Sequence, residues 1–157
     1  MSGPPIVVGV ISDTHGLLRP AAVAALAGSD LIVHAGDIVG PGLLDELRRL
    51  APLHAVRGNC DGPWARQLPE EETFTVGGLL VHVRHDLARL TLNPVAAGVA
   101  VVISGHSHRP AVVRRDGVLY VNPGGAGPRR FALPATVARL LIAAGAAEAA
   151  IVELVDG

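Results

Sequence analysis

Three short, mostly apolar runs open the chain, and segments of helical length separate them. The runs are Ile6–Ser12, Leu31–Ala35 and Leu53–Arg57. Continuous apolar runs of this length are typical of strands that are buried on both faces. Pro20–Ala27 and Gly42–Leu50 lie between the runs, and the second has leucines at helical spacing. The order strand, helix, strand, helix, strand predicts a parallel sheet with helices packed against it.

The second half of the chain predicts hairpins. Gly-Gly and Asp-Gly dipeptides, which favour tight turns, separate two pairs of apolar runs. The predicted strands are Glu70–Val76 and Leu79–Arg84 around Gly77-Gly78, Val99–Ser104, Ala111–Arg115 and Val118–Val121 around Asp116-Gly117, and Val137–Ile142 with Glu148–Val155. A parallel front half and an antiparallel back half, without a linker or repeat, predict two sheets in one domain, residues 1–157.

Composition excludes several classes of function. Half of the residues are hydrophobic and 17% are charged, so we expect a packed core. All thirteen basic residues are arginine. Without lysine, Schiff-base catalysis, pyridoxal phosphate attachment and a P-loop are excluded. The net charge of −1 gives no basis for binding duplex nucleic acid.

Cysteine usage and hydropathy favour the cytoplasm. Cys60 is the only cysteine, so an intrachain disulfide is excluded and a reducing compartment fits. The start of the chain lacks the basic leader of a secretory signal, and the apolar stretches are too short or too interrupted to span a bilayer. We therefore expect a cytoplasmic protein without a membrane partner. The apolar C-terminal strands suggest a homo-oligomer, a dimer in the simplest case.

Ligand-type side chains follow four of the predicted strands. The segments are Asp13-Thr14-His15, Gly36-Asp37, Gly58-Asn59-Cys60-Asp61 and Gly105-His106-Ser107-His108. Because groups beyond the carboxyl ends of strands line the crevice of an open α/β sheet, we expect these segments to meet in one place. Alternate residues of an extended segment point to the same side, so Asp13-x-His15 and His106-x-His108 each offer two ligands.

The chemistry of these segments is that of a metal site. Carboxylates, imidazoles and one amide, without the cysteine sets of structural zinc sites, suit Mn²⁺, Fe²⁺, Zn²⁺ or Ni²⁺. Two such ions about 3.5–4 Å apart can clamp a phosphoryl oxygen and turn a bridging water into hydroxide near neutral pH. The sequence therefore predicts a dinuclear site, with Mn²⁺ as first choice. His34, His54 and His82 lie inside apolar strands, where hydrogen-bonded structural histidines are expected.

Five motifs carry a resemblance to a known family. They are Ile11-Ser12-Asp13-Thr14-His15-Gly16, His34-Ala35-Gly36-Asp37, Gly58-Asn59-Cys60-Asp61, Ser104-Gly105-His106-Ser107-His108 and Val121-Asn122-Pro123-Gly124. With them the chain resembles the calcineurin-like metallophosphoesterase superfamily, and within it the compact bacterial and archaeal phosphodiesterases related to the retromer scaffold subunit. The resemblance implies an α/β (α+β) fold, a four-layer sandwich of two mixed β-sheets flanked by helices.

The resemblance also implies roles for individual residues. Asp13, His15 and His108 would hold the first metal, Asn59, His85 and His106 the second, and Asp37 both. The implied reaction is in-line attack on phosphorus by a metal-bound hydroxide, without a covalent enzyme intermediate. The candidate catalytic residues are Asp37, Asn59, Cys60 and His106.

Three positions depart from the family pattern. Cys60 stands where larger members have a histidine that can protonate the leaving group. A thiol, with a reference pKa of about 8.5, is the poorer donor, so we expect slow turnover that favours good leaving groups. Asp86 follows His85 where the family usually has glycine, and His82 stays an alternative ligand. Gly125 replaces a frequent serine, which removes a hydroxyl from reach of the substrate.

The expected function is hydrolysis of small phosphodiesters. A phosphomonoesterase is one alternative, because the metal pair alone does not distinguish the two reactions. The absence of a cap domain predicts an open cleft with room for the second ester group of a diester. A non-catalytic protein-interaction scaffold of the same fold is the other alternative, but a scaffold has no need of seven metal ligands.

Overall fold

The computed structural model describes residues 4–130 and 132–155, which form ten strands, three α-helices and two single turns of 3₁₀ helix, Pro63–Ala65 and Leu87–Arg89. In chain order the strands and α-helices are β1 (Ile6–Ile11), α1 (Pro20–Leu26), β2 (Leu31–His34), α2 (Pro41–Arg48), β3 (Leu53–Ala55), β4 (Glu71–Val76), β5 (Leu79–Arg84), α3 (Pro94–Ala97), β6 (Val99–Ile103), β7 (Ala111–Arg115), β8 (Val118–Asn122), β9 (Thr136–Ala143) and β10 (Ala146–Glu153). No helix among these residues is long and apolar enough to cross a membrane.

The first sheet has the strand order β10-β9-β1-β2-β3. β1 runs parallel to β2, and β2 parallel to β3, as the three apolar runs at the start of the chain predict. The C-terminal hairpin of β9 and β10 completes this sheet, with β9 antiparallel to β1. The sheet is therefore mixed, and its β10 edge is the region for which a dimer contact stays a prediction.

The second sheet has the order β4-β5-β6-β8-β7. The two predicted hairpins, β4 with β5 and β7 with β8, are confirmed. An entirely antiparallel second half is wrong, because β6 runs parallel to both of its neighbours. Residues 85–98, which include α3, connect β5 to β6 and form a crossover of the length that parallel strands require.

Valines and leucines fill the space between the two sheets. Val10 and Val33 of the first sheet belong to the same buried cluster as Val83, Val101 and Leu119 of the second. All five are branched aliphatic side chains, which pack densely, and the partly buried Phe74 packs against the cluster they belong to. This cluster is the core that joins the two sheets.

Two further clusters cover the outer faces of the sheets. Leu26 of α1 and Leu47 of α2 pack with Ile32 on the first sheet. The residues on either side of Val102 in β6 belong to the inner cluster, so Val102 lies on the opposite face of the second sheet. There it packs with Leu90, which belongs to the segment that leads to α3. The layers therefore lie in the order helices, first sheet, second sheet and helical segment. The predicted four-layer sandwich of two mixed sheets is confirmed.

Prolines mark the starts of the helices. Pro20 and Pro41 occupy the first turns of α1 and α2, where a proline needs no backbone hydrogen bond and has its φ already fixed. α3 was not predicted, because a single turn is too short to show helical periodicity. It is delimited by Asn93, whose Oδ1 accepts a hydrogen bond from the Ala96 N–H at 3.2 Å, and by Gly98 with φ 73°.

Candidate metal centre

The loops that follow the strands of both sheets meet at one place. Backbone hydrogen bonds join the loop after β1 to the loop after β2: the Asp13 N–H donates to Gly36 O at 2.9 Å, and the His15 N–H donates to Asp37 O at 3.0 Å. In the second sheet, the Gly105 N–H donates to the carbonyl oxygen of His85 at 3.0 Å. The convergence expected from the strand-end positions is therefore present.

The Asp13 carboxylate lies at the middle of the cluster and is fully buried. Its Oδ1 is 3.4 Å from His108 Nε2, 3.8 Å from His85 Nε2 and 4.0 Å from His15 Nε2. The other oxygen, Oδ2, accepts hydrogen bonds from Ser12 Oγ at 2.8 Å and from the His106 N–H at 3.0 Å. These two bonds orient the carboxylate so that Oδ1 faces the three imidazoles.

The Asp37 carboxylate is the second anionic group of the cluster. Its Oδ2 lies 3.2 Å from His85 Nε2 and 3.8 Å from His15 Nε2, and its Oδ1 accepts a hydrogen bond from the Cys60 N–H at 2.8 Å. Burial alone would raise the pKa of Asp37, but the contact with His85 and the bond from Cys60 outweigh it and hold that pKa well below its usual range. Asp37 is therefore ionised throughout the physiological range of pH.

Three ligand atoms in this cluster are buried without a hydrogen-bond partner among the described residues: Asp13 Oδ1, His15 Nε2 and His85 Nε2. An unpaired buried polar atom costs about 1–3 kcal/mol, so three at one point need an explanation. His85 Nδ1 donates to Ala35 O at 2.7 Å, which places the lone pair on Nε2. Unpaired acceptor atoms that face one another fit a cation, which would coordinate all of them.

The ligand atoms group as a metal site requires. Within each of three groups they lie within 4.8 Å of one another: Asp13, His15 and His108; His15, Asp37 and Cys60; Asp13, Asp37 and His85. Burial lowers the pKa of His85, but the carboxylates of Asp37 and Asp13 more than offset this and raise it. The centre therefore attracts positive charge.

Asn59 and His106 lie at the rim of this cluster. Asn59 Oδ1 is 3.2 Å from His106 Nδ1, while His106 Nε2 is 4.0 Å from Asp86 Oδ2. The His106 side chain is 47% exposed, and its ring meets that of His85 edge-on with the centroids 5.2 Å apart. The structure thus brings the seven predicted ligands into one region, with five at the centre and these two at its edge. Their role as ligands stays a prediction.

Cys60 lies beside the cluster and is exposed. Its Sγ accepts a hydrogen bond from Asn59 Nδ2 at 3.6 Å and belongs to the group with His15 and Asp37. Partial desolvation and the negative charge of Asp37 raise the pKa of the Cys60 thiol. A protonated thiol in this position fits a hydrogen-bond donor better than a nucleophile.

Left-handed backbone conformations concentrate at the predicted ligands. The φ angles are 53° at Asp13, 45° at His15, 58° at Asp37, 73° at His106 and 61° at His108. Among the other described residues, positive φ outside glycine occurs only at Val39, Asp116 and Ala144. Such angles are unfavourable for side chains with a Cβ and tend to cluster at functional sites, where the surrounding structure maintains them.

Sequence reasoning missed the role of Asp61. Its carboxylate accepts four backbone hydrogen bonds, from the N–H groups of Asp37, Ile38, Val39 and Gly58, at 3.0, 2.9, 2.8 and 2.8 Å. These bonds fix the loop that carries Asp37 against the loop that carries Asn59. The Gly-Asn-Cys-Asp motif already included Asp61, but spacing alone does not show which backbone groups a carboxylate will bind.

His34 has the structural role that was predicted for it. Its Nδ1 accepts a hydrogen bond from the Gly36 N–H at 3.1 Å, so its Nε2–H donates to Thr14 Oγ1 at 3.0 Å. The Thr14 hydroxyl in turn donates to Ile38 O at 3.1 Å. Burial, with a smaller contribution from the neighbouring His85, lowers the pKa of His34 to about 3. His34 is therefore a neutral link between the loops after β1 and β2.

His82 is engaged away from the cluster. Its Nδ1 is 2.6 Å from Thr73 Oγ1, and its Nε2 is 3.0 Å from Glu71 Oε2. Because both ring nitrogens have partners, the alternative in which His82 replaces His85 has no geometric support. His54 also has a structural setting, since it contacts Glu72 and stacks on Phe74.

The structure accounts for two of the three departures from the family pattern, Asp86 and Gly125. Asp86 has φ −102°, an ordinary extended value, and its carboxylate accepts the Ala88 N–H at 3.0 Å. Glycine is therefore not required after His85 in this chain. At Gly125, an added Cβ would lie 2.5 Å from His108 Nδ1. The missing serine thus makes room for a ligand ring, an effect that the sequence did not reveal.

Two pockets adjoin the cluster. One, of about 410 Å³, is lined by Asn59, His85 and three arginines. The other, of about 320 Å³, is lined by residues 111, 113 and 115 of β7, by Arg109, and by Tyr120 and Asn122. Asp86 and His106 line both pockets, so the two pockets are neighbours.

Comparisons with known proteins give the family of the chain. The family model of the calcineurin-like phosphoesterase superfamily domain matches residues 6–145. A probable metallophosphoesterase of Methanothermobacter thermautotrophicus is 36% identical over 131 residues, 76% of this chain and 76% of that protein. A phosphodiesterase of Methanocaldococcus jannaschii is 29% identical over 136 residues, 74% of this chain and 82% of that protein.

A solved structure extends the likeness to the whole fold. Vacuolar protein sorting 29 of Cryptosporidium parvum matches with a TM-score of 0.77 at 17% identity, covering 97% of this chain and 99% of that one. At that identity the match shows the fold alone. The family match is more informative, because it covers most of the chain and contains every predicted ligand. This chain belongs to the calcineurin-like phosphoesterase superfamily.

Proposed function

We propose that this protein is a metal-dependent phosphodiesterase that hydrolyses small phosphodiesters. The observation that carries the proposal is the set of buried, unpaired ligand atoms, Asp13 Oδ1, His15 Nε2 and His85 Nε2, which face one another. A scaffold protein would gain nothing from leaving these atoms without partners, since each one lowers its stability. In an enzyme, cations bound at this place would coordinate these atoms and offset the loss of stability.

The proposed ligand sets are those that the family resemblance implies, and the group of Asp13, His15 and His108 supports the first of them. Asp13, His15 and His108 would hold one divalent cation, Asn59, His85 and His106 would hold the second, and Asp37 would contribute to both. The position of Asp37 supports its bridging role, because its Oδ2 lies within 3.8 Å of His15 in the first set and of His85 in the second. Asn59 and His106 would exchange their mutual hydrogen bond for the second cation. Mn²⁺ is the cation we propose, with Fe²⁺, Zn²⁺ or Ni²⁺ as alternatives.

The cations would supply Lewis acidity toward a phosphoryl oxygen and lower the pKa of bound water toward neutrality. The chain itself supplies orientation. Asp61 fixes the loop of Asp37, and the Nδ1–H of His85 is held by Ala35 O, so the ligand atoms point inward before any cation arrives. Cys60 is the proposed proton donor to the leaving group, because its exposed Sγ lies beside His15 and Asp37.

The two pockets favour a diester over a monoester. A diester has two substituents on phosphorus, and the two pockets that share Asp86 and His106 offer a place for each. A monoester would use only one of them. The relative from Methanocaldococcus jannaschii that carries the name phosphodiesterase adds support.

Hydrolysis of bis-p-nitrophenyl phosphate tests the proposal. The purified protein is assayed with Mn²⁺, with EDTA, and with p-nitrophenyl phosphate as the matched monoester. We expect release of p-nitrophenolate from the diester that depends on the metal and exceeds release from the monoester. Faster cleavage of the monoester would establish a phosphomonoesterase. An absence of metal-dependent cleavage of both esters would leave the scaffold as the better explanation.

A further inference from the structure

The pocket of about 410 Å³ contains an arginine cluster that the reaction itself does not explain. Arg57, Arg84 and Arg89 line it together with Asn59 and His106 of the candidate metal centre. Hydrolysis at the centre needs cations and a proton donor, but it does not need three guanidinium groups beside them. A cluster of this kind is typical of sites that recognise phosphate or carboxylate groups.

Two of these guanidinium groups are held in position. Arg57 donates to Leu68 O and, at 3.1 Å, to Glu70 Oε1. Arg84 is only 14% exposed and lies 3.3 Å from Glu71 Oε1 and 3.8 Å from Glu70 Oε2. Because a guanidinium carries five N–H donors, these contacts leave donors available to a ligand. The groups are thus ordered before binding, which reduces its entropic cost.

Arg89 differs because its side chain is 76% exposed. Its Nε lies 3.7 Å from Asp86 Oδ2, which is a long distance for an ion pair. It can therefore turn toward a ligand at the mouth of the pocket. The lining includes two carboxylates, those of Glu70 and Asp86, against three guanidinium groups. Guanidinium groups therefore outnumber carboxylates in the lining itself, although Glu71, outside the lining, also contacts Arg84.

We propose that this pocket binds a second anionic group of the substrate, a phosphate or a carboxylate, next to the ester that is hydrolysed. The substrate class is then a phosphoester that carries an additional anionic group. The inference deepens the proposed function and rests on it for the position of the scissile ester at the metal centre. Glu70 moderates the site, since its carboxylate competes with the ligand for Arg57 and Arg84.

Two chromogenic esters test the proposal in catalysis. The p-nitrophenyl ester of thymidine 5′-phosphate and the same ester with an added 3′-phosphate release the same leaving group from the same phosphorus. We expect kcat/KM to be roughly tenfold or more higher for the ester with the 3′-phosphate, the size of a charge-assisted hydrogen bond. Equal kcat/KM values for the two esters would overturn the proposal.

Three variants test which side chains produce the preference. Arg89→Gln should lower the ratio of the two kcat/KM values toward one, whereas Glu70→Gln should raise it by removing the competing carboxylate. Arg48→Gln is the matched control, because Arg48 is exposed on α2 and pairs with Asp45 outside the pocket. If Arg89→Gln and Glu70→Gln both lowered the ratio of the two kcat/KM values, both residues would act by supporting the fold of the pocket. The proposal that Arg89 binds an anion would then be overturned.

A binding measurement separates this inference from the proposed function. Calorimetric titration of the Mn²⁺-loaded protein with thymidine 3′,5′-bisphosphate and with thymidine 5′-phosphate needs no turnover. Tighter binding of the bisphosphate that Arg89→Gln removes would support the pocket even if neither ester were cleaved, and the proposed function alone would then fail. Cleavage of both esters, combined with equal affinity for both nucleotides, would overturn the pocket and leave the phosphodiesterase intact.

Discussion

The carboxylate of Asp61 holds the backbone of Asp37: Oδ2 accepts the Asp37 N–H at 3.0 Å and the Gly58 N–H at 2.8 Å. Asp37 has φ 58°, so its loop adopts a conformation that is unfavourable by itself. Asp61 belongs to none of the three groups of ligand atoms, yet it holds the loop that carries the Asp37 carboxylate. It is therefore a positioning residue for the candidate metal centre.

Replacing Asp61 with alanine should weaken Mn²⁺ binding by about 10–100-fold, the usual effect of removing a group that orients a metal ligand. It should also lower the free energy of unfolding by about 1–3 kcal/mol, because four backbone N–H groups, three of them in partly buried hydrogen bonds, lose their acceptor. Calorimetric titration with Mn²⁺ and urea unfolding measure the two effects. Asp45→Ala, at an exposed carboxylate of α2, is the control and should change neither. Unchanged Mn²⁺ affinity in Asp61→Ala would contradict the positioning role.

The strand ends of the site could be predicted from sequence because each is marked twice. An apolar run gives the strand, and a ligand-type residue such as Asp13 or Asp37 follows it directly. The placement of β9 beside β1 could not be predicted, because the pairing joins segments from opposite ends of the chain and periodicity carries no information about partners. The parallel pairing of β6 was missed for the same reason.

The supporting groups of the site were less predictable. Asp61 acts on backbone N–H groups, which are identical in every residue and leave no pattern in the sequence. The space that Gly125 leaves for His108 depends on two loops whose approach is fixed only in the folded chain. The sequence therefore predicted which side chains could bind metal, but not the contacts that orient them.

Asp37→Ala and Cys60→Ser should have very different effects on activity. Asp37 is the proposed ligand of both cations, so its removal should lower kcat/KM for bis-p-nitrophenyl phosphate by more than about 100-fold, beyond the loss of a supporting group. Cys60→Ser should retain a measurable fraction, because a hydroxyl can still donate a hydrogen bond to the leaving group. Steady-state kinetics with Mn²⁺ measures both. Equal loss in the two variants would point to a thiol nucleophile instead.

Substitutions at His85 and His82 can be compared directly, because His82 lies within β5 and His85 directly follows it. His85→Asn should weaken Mn²⁺ binding at least about tenfold, because it removes the unpaired Nε2. His82→Asn should leave Mn²⁺ affinity unchanged and lower the free energy of unfolding by about 1–3 kcal/mol, through lost contacts with Thr73 and Glu71. Metal content after dialysis and urea unfolding distinguish them. A loss of metal in His82→Asn alone would reverse the assignment.

His34 should make stability depend on pH in weak acid. In the folded chain its pKa is about 3, compared with 6.5 as the ordinary value for histidine, so between these pH values only the unfolded chain binds the proton. The free energy of unfolding should therefore fall as the pH falls through this window, by roughly 1.5 kcal/mol from pH 6.5 to pH 5 for this one group.

Urea unfolding in EDTA at several pH values measures this effect without a contribution from metal release. His34→Asn should be less stable at every pH, since it loses the hydrogen bond to Thr14, but its stability should decline less between pH 6.5 and pH 5. The wild type and the variant would show the same pH dependence if His34 were protonated in the folded chain.

Gly125 should resist substitution although it lies outside the ligand set. A Cβ at this position would approach His108 Nδ1 to 2.5 Å, which is too close for any real contact, so Gly125→Ser should displace the ring from Asp13. We expect Mn²⁺ affinity to fall roughly tenfold or more, with about 1–3 kcal/mol lost from the free energy of unfolding. Gly42→Ala in α2 is the control, because nothing lies within 4 Å of its added Cβ and alanine favours the helix. If Gly125→Ser instead bound Mn²⁺ normally and cleaved diesters faster, the serine hydroxyl would be a substrate contact that this chain lacks, as the family pattern first suggested.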